Sequence, residues 1–298
     1  MSRSILSRRS AMTTMAAGSL AASISTIGGD KNVNAAETTT SSNKLPLKGR
    51  IHHTACLWCY SKIPKEQFFK TCAEIGLVGV DLVNESDFPL LKKYGLVATM
   101  VSGVGGIGDA LNDKANHSKC MEQFKNLLPA AAREGFKNVI TFSGNRRGKS
   151  DEEGWDNCLT ILKEAVKIAE DQGVNICMEL LNSKVDHKDY QCDHTPWGVE
   201  LCKRVNSPRF KLLYDIYHMQ IMEGDVIRTI RDNIQHIAHF HTGGVPGRHE
   251  IDESQELYYP AIMKAIVDLG YEGYVAQEFI PTRDPIESLK QGVTICDA

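Results

Sequence analysis

Nowhere in the 298-residue chain do about 18 apolar residues run together, so no membrane-inserted helix is expected. Positive charge is not in surplus either: 34 Lys and Arg stand against 37 Asp and Glu, a net charge of −3. A nucleic-acid binder normally carries a basic excess to meet phosphates, so that class is disfavoured. Hydrophobic residues at 42% and charged residues at 24% show no bias, which excludes a disordered, collagen-like or coiled-coil chain. Nine cysteines, an odd number scattered along the chain, do not form a disulfide framework. Cys56 and Cys59 make a C-x-x-C without a second pair, and ordinary packing explains them better than zinc or redox chemistry.

The N-terminus is different material. Ser7-Arg8-Arg9-Ser10-Ala11-Met12 precedes a mildly apolar run from Met15 to Ile27 and then the small-residue site Val33-Asn34-Ala35-Ala36. Paired arginines, a weakly hydrophobic middle and a cleavable site predict a twin-arginine-type export signal over residues 1–35. Residues 36–49 read as a flexible linker, and 50–298 as one domain. The expected address is the periplasm, or the cytoplasm if the first segment is only a basic tail. Without residues 1–35 the chain carries 30 basic and 36 acidic residues, net −6, which moves it further from nucleic acid.

From Ile51 onward short apolar runs alternate with amphipathic stretches. The runs are Ile51–Leu57, Gly79–Val83, Ala98–Ser102, Asn138–Phe142, Asn175–Leu181, Phe210–Tyr217, Ile237–His241 and Tyr274–Ile280. They are short, rich in Val, Ile and aromatics, and flanked by Gly, Asn or Pro, as buried parallel strands are. Between them lie helical patterns, among them Pro64–Ile75, Met121–Arg133, Trp155–Gln172 and Tyr259–Leu269, each stopping at or near a glycine. Eight such units in roughly 250 residues predict an α/β fold, a (β/α)8 TIM barrel. An open doubly wound sheet is the alternative, but no G-x-G-x-x-G follows the first strand.

Four of the last strands break the apolar rule. Glu179, Asp215, His241 and Glu278 each sit within or at the end of an apolar run, spaced 36, 26 and 37 residues apart. That spacing places one on each of strands five to eight, so in a barrel all four reach the C-terminal rim. Three carboxylates buried together need a cation. With one imidazole they make a hard, oxygen-rich site for one divalent metal ion, Mn²⁺ or Mg²⁺, with Co²⁺ or Zn²⁺ as alternatives. His218 follows Asp215 by three residues, just past the strand end. The loop His241 to Glu250, rich in Gly and Pro, returns Arg248 and His249 towards the rim. A guanidinium there suits a carboxylate or polarised oxygen of a substrate, although Arg248 could instead pair with Glu250 or Asp252. His52, His53 and Trp58, around the first strand, are further candidates to line the pocket.

Met178-Glu179-Leu180-Leu181-Asn182, Asp215-Ile216-Tyr217-His218, Ala238-His239-Phe240-His241 and Gln277-Glu278-Phe279 carry a resemblance. Over about residues 51 to 280 the chain resembles the sugar-phosphate isomerase/epimerase superfamily of xylose isomerase-like barrels, and within it the hydroxypyruvate isomerase-like group. The resemblance implies that Glu179, Asp215, His241 and Glu278 bind the metal and that Glu179 and Glu278 move protons. His218, Arg248 and His249 are expected to bind substrate. The implied activity is isomerisation of a small α-hydroxycarbonyl compound, a sugar or hydroxy-keto acid, by proton transfer through a metal-bound enediolate. His241 is the residue usual in ketose 3-epimerases, so 3-epimerisation on the same site stands as the alternative. A non-catalytic periplasmic sugar-binding barrel is a second alternative. An abasic-site endonuclease, which shares the barrel, would use a three-metal cluster richer in histidine. A homo-oligomer is compatible with all of these readings.

Overall fold

The structure, a computed structural model, describes residues 44–298. Eight strands alternate with helices in chain order: β1 (His52–Cys56), α1 (Lys65–Ile75), β2 (Gly79–Val83), α2 (Phe88–Lys93), β3 (Val97–Val104), α3 (His117–Arg133), β4 (Asn138–Thr141) and α4 (Asp151–Gln172). They continue as β5 (Asn175–Glu179), α5 (Thr195–Val205), β6 (Phe210–Asp215), α6 (Ile216–Met222), α7 (Val226–Asn233), β7 (Ile237–Thr242), α8 (Tyr259–Asp268), β8 (Tyr274–Gln277) and α9 (Pro285–Cys296). Every strand pairs in parallel with its sequence neighbour, and His53 beside Val275 closes β1 on β8, giving a closed eight-stranded TIM barrel. Among the described residues no helix is long and apolar enough to cross a membrane.

Local chemistry explains the boundaries. Helix α4 begins four residues earlier than its apolar pattern, at Asp151, because the Ser150 hydroxyl accepts a hydrogen bond from Glu153 N at 3.1 Å. Three acidic residues in its first turn suit the positive end of the helix dipole, and Gly173 closes it in the left-handed conformation. Strand β6 ends sooner than its apolar run. Asp215 caps the next helix by accepting from His218 N at 3.3 Å, so Ile216 and Tyr217 are already helical.

A large apolar layer fills the space between strands and helices, whereas Met100, Ile140, Cys177 and Leu213 form a small plug inside the barrel. The plug is the floor on which the site is built. The end of the expected linker is not loose: Leu45 and Leu47 pack on the outer core, and Lys48 N donates to the Asp297 carboxylate at 2.9 Å. The segment 1–35, with its export reading, and residues 36–43 of the linker lie outside the described residues.

Candidate active site

The four ionisable residues of β5–β8 come together. One ligand atom each from Glu179, Asp215, His241 and Glu278 lies within 4.8 Å of the others, and all four residues are buried. Asp215 pairs directly with His241, Glu179 pairs with Leu213 two residues before Asp215, and Glu278 follows the last residue of β8, so all four lie at the C-terminal ends of neighbouring strands.

The donor set fits a divalent cation. His241 Nε2 lies 2.7 Å from the Asp81 carboxylate, a partner that suits an Nε2–H and turns Nδ1 towards the acidic cluster. Nδ1 sits 2.6 Å from Glu278 and 3.3 Å from Glu179, yet it makes no hydrogen bond to either. A buried ring nitrogen facing carboxylate oxygens needs positive charge beside it, from a proton on Nδ1, the neighbouring Arg248 guanidinium or a metal cation. Three carboxylate oxygens and one imidazole nitrogen supply such a cation with a hard coordination set.

The surrounding charges set the protonation of these groups. Burial pushes Asp215 up to about 7, against the opposing pull of Arg248. Burial likewise raises Glu179. Glu278 is buried as deeply, but Arg248 and His241 outweigh desolvation and hold it well below the usual carboxylate range. Burial would lower His241, yet the acidic groups around it, Glu278 and Asp81 among them, raise it well above the ordinary histidine value.

Arg248 is held inside this cluster. Its Nη2 donates to Asp215 at 2.9 Å and to Glu278 at 2.5 Å, Nε reaches the Glu278 carbonyl, and Nη1 lies 2.7 Å from His218 Nε2. It does not pair with Glu250 or Asp252, which take Arg283 instead. The backbone at Arg248 is left-handed, φ 58°, a conformation costly for a non-glycine residue and typical of functional loops. His218 is buried beside Asn182, whose Nδ2 lies 2.6 Å from the ring Nδ1. Burial and the Arg248 charge hold its pKa well below the ordinary histidine value, so its ring is neutral.

His249 is placed elsewhere. The left-handed turn at Gly247 and Arg248 sends its ring to the exposed side, where Nδ1 sits 3.0 Å from the Ile280 carbonyl. His52 and His53 are also away from the site. They stand at the N-terminal end of β1, with His52 near the Glu272 carbonyl and buried His53 3.6 Å from Asp297. Trp58 does reach the site and donates its indole N–H to Glu278 at 2.6 Å. All nine cysteines are free, and Cys56 of the C-x-x-C packs against Asp81 and His241.

Two residues of the site were not expected from sequence. Asp81, in the apolar run of β2, is fully buried and accepts from Thr99 Oγ1 at 2.6 Å as well as facing His241 and His239. Burial alone would raise it, but the two histidines hold it far below the ordinary range. It breaks the apolar rule in the way the four expected ligands do, and that is the signal for it. His187, in the polar loop after β5, lines the same cavity of about 550 Å³ with Glu179, His218, Arg248 and Glu278. No periodicity marks it.

Comparison with known proteins adds the family context. The family profile described as xylose isomerase-like TIM barrel matches residues 89–296. A 2-oxo-tetronate isomerase of Cupriavidus necator is 37% identical over 123 residues, 41% of this chain and 46% of that protein. A human protein provisionally named hydroxypyruvate isomerase is 29% identical over 131 residues, 44% of this chain and 47% of that protein. The matches therefore span about half the length of these relatives. Among solved structures, one from Brucella melitensis described as an AP endonuclease of family 2 superposes with a TM-score of 0.75. It is 24% identical and covers 82% of this chain and 98% of that one, a likeness of fold.

Proposed function

Because the chain belongs to the xylose isomerase-like TIM barrel family, we propose that it is a divalent-metal-dependent isomerase of the hydroxypyruvate isomerase-like group, acting on an α-hydroxycarbonyl compound. The observation that carries this reading is the convergence of Glu179, Asp215, His241 and Glu278 within 4.8 Å, with Glu179 and Glu278 lining a cavity. These four residues would hold a divalent ion such as Mn²⁺ or Mg²⁺, which would supply positive charge that makes a C–H next to a carbonyl more acidic.

The chain's own residues do the rest. Glu179 and Glu278 come from β5 and from the end of β8, and both line the cavity. One carboxylate removes the proton from the hydroxyl-bearing carbon next to the carbonyl, and the other carboxyl group returns a proton. Return to the former carbonyl carbon, with the hydroxyl proton passing to the former carbonyl oxygen, gives isomerisation, and return to the same carbon from the opposite face gives 3-epimerisation. The glutamate that takes the proton starts as the carboxylate and the one that returns a proton starts protonated, so closeness to the reacting carbon supplies the basicity. Neutral His218 and cationic Arg248 bind substrate oxygens, and the Trp58 N–H holds Glu278 in place. His241, held from behind by Asp81, favours the epimerase alternative only so far as the resemblance goes.

Chelation tests the reading. Protein stripped of metal should lose turnover of α-hydroxycarbonyl compounds and regain it with Mn²⁺ or Mg²⁺, one ion per chain. Full turnover after verified metal removal would refute it.

A further inference from the structure

The two halves of the barrel mouth have opposite chemistry. Strands β5–β8 and their loops bring Glu179, His187, His218, Arg248 and Glu278 to the cavity. Strands β2–β4 and their loops bring Leu82, Ile107, Ile140 and Phe142, joined by Leu181. On this side Ser102 offers the one polar side chain that faces the cavity, and the nearby Gly105 N–H is already spent on Gln123 at 3.0 Å. Leu82 is turned inward by a positive φ of 55° at a register shift between β2 and β3, so the apolar wall is set by the backbone.

From this division we propose that the substrate joins a small oxygen-bearing head to an apolar arm, aromatic or branched alkyl, that lies on the β2–β4 wall. The inference rests on the reaction class proposed above and names the kind of molecule that undergoes it. Three observations exclude the other kinds. A polyhydroxylated arm would lose its water against Leu82, Ile140 and Phe142, with Ser102 as a single replacement partner, and each unpaired buried hydroxyl is unfavourable. A phosphorylated arm would need a cation beside the apolar wall, but Arg248, the one cationic side chain lining the cavity, comes from the β5–β8 side, where the head binds. A bare three-carbon acid would fill little of about 550 Å³, a volume in the range of pockets that enclose larger ligands. At the mouth Trp58 and Ile107, 42% and 37% exposed, extend the apolar surface outward along the path of such an arm.

The test compares two ketones with one head, HOCH₂–CO–CH(OH)–R. In one, R is the trihydroxypropyl chain of a ketohexose; in the other, R is phenylethyl. Exchange of the α-hydrogen in D₂O with the metal-loaded protein should favour the phenylethyl compound by about tenfold or more in kcat/KM. Ile107→Asn, at a part-exposed loop position that leaves the core intact, should shrink this preference mainly through KM for the phenylethyl compound. Equal or better turnover of the ketohexose would overturn the proposal while leaving the reaction class standing. If neither compound exchanges, the reaction class fails, and calorimetric binding of the same two ketones decides the pocket. Tighter binding of the phenylethyl ketone supports the apolar arm, and equal or weaker binding refutes it.

Discussion

Asp81 and Asp215 bear on the proposed metal site from different distances, and their variants separate the two roles. Asp215→Asn removes a coordinating charge with little change of shape, so metal content measured by elemental analysis should fall sharply. Asp81→Asn leaves all four coordinating residues in place but removes the charge that orients the His241 ring. Support of this kind is worth roughly 10- to 100-fold in metal affinity, and competition with a fluorescent chelator should read a loss in that range. An Asp81→Asn protein with unchanged affinity would remove that residue from the account. Affinity should also depend on pH. With Asp215 pushed up to about 7 and His241 also raised, protons compete with the metal for both groups, so affinity falls as pH drops below about 7. At this scale one ionisable residue interrupting an apolar run marks the site at Glu179, Asp215 and Glu278, while the same mark at Asp81 lies outside the expected set. His249 was not readable, because two positive-φ residues before it turn the ring outward and nothing in the residue types reveals that turn.

Among the elements, the loops after β7 and β8 are joined by one carboxylate. Buried Glu250 accepts from Thr282 N at 2.9 Å, Thr282 Oγ1 at 2.8 Å and Ser288 Oγ at 2.8 Å, tying the Arg248 loop to the segment that follows Glu278. Burial works against its ionisation, but these hydrogen bonds lower its pKa to about 2. A depressed carboxylate stabilises the folded state above its unfolded value of about 4.5, and this contribution is lost as pH falls from there through about 2. Glu250→Ala strands several buried donors and should cost about 2 kcal/mol in urea denaturation at neutral pH, with a smaller difference from wild type near pH 3. Equal stability at both pH values would show that the loops are held by other contacts. Strand order was legible from the alternation of apolar runs and glycine-terminated helices. The bulge in β2 was not, since Gly79-Val80-Asp81-Leu82-Val83 reads as an ordinary strand. Only the backbone reveals that consecutive residues Asp81 and Leu82 both serve the barrel interior, one beneath His241 and the other in the cavity wall.

For the whole molecule, address and chemistry are separate predictions. Residues 1–35 carry Arg8-Arg9 ahead of a weakly apolar run, and we propose that they direct export of the folded chain. Arg8→Lys with Arg9→Lys should leave the protein in the cytoplasm by cell fractionation, and a double variant that still reaches the periplasm would reject the twin-arginine route. The overall architecture was readable because a closed barrel repeats one unit eight times. The substrate wall was not, because Leu82, Ile107, Ile140 and Phe142 come from three separate units whose apolar residues look like core. The central claim is that Glu179 and Glu278 move a proton at a metal-bearing barrel mouth, and the direct measurement is deuterium incorporation followed by proton NMR in D₂O. The account predicts label at the α-carbon with wild-type protein. It also predicts a loss of on the order of 10²-fold or more for Glu278→Gln protein that still holds its metal. Turnover without any solvent deuterium, or near-normal exchange in metal-loaded Glu278→Gln, would contradict it.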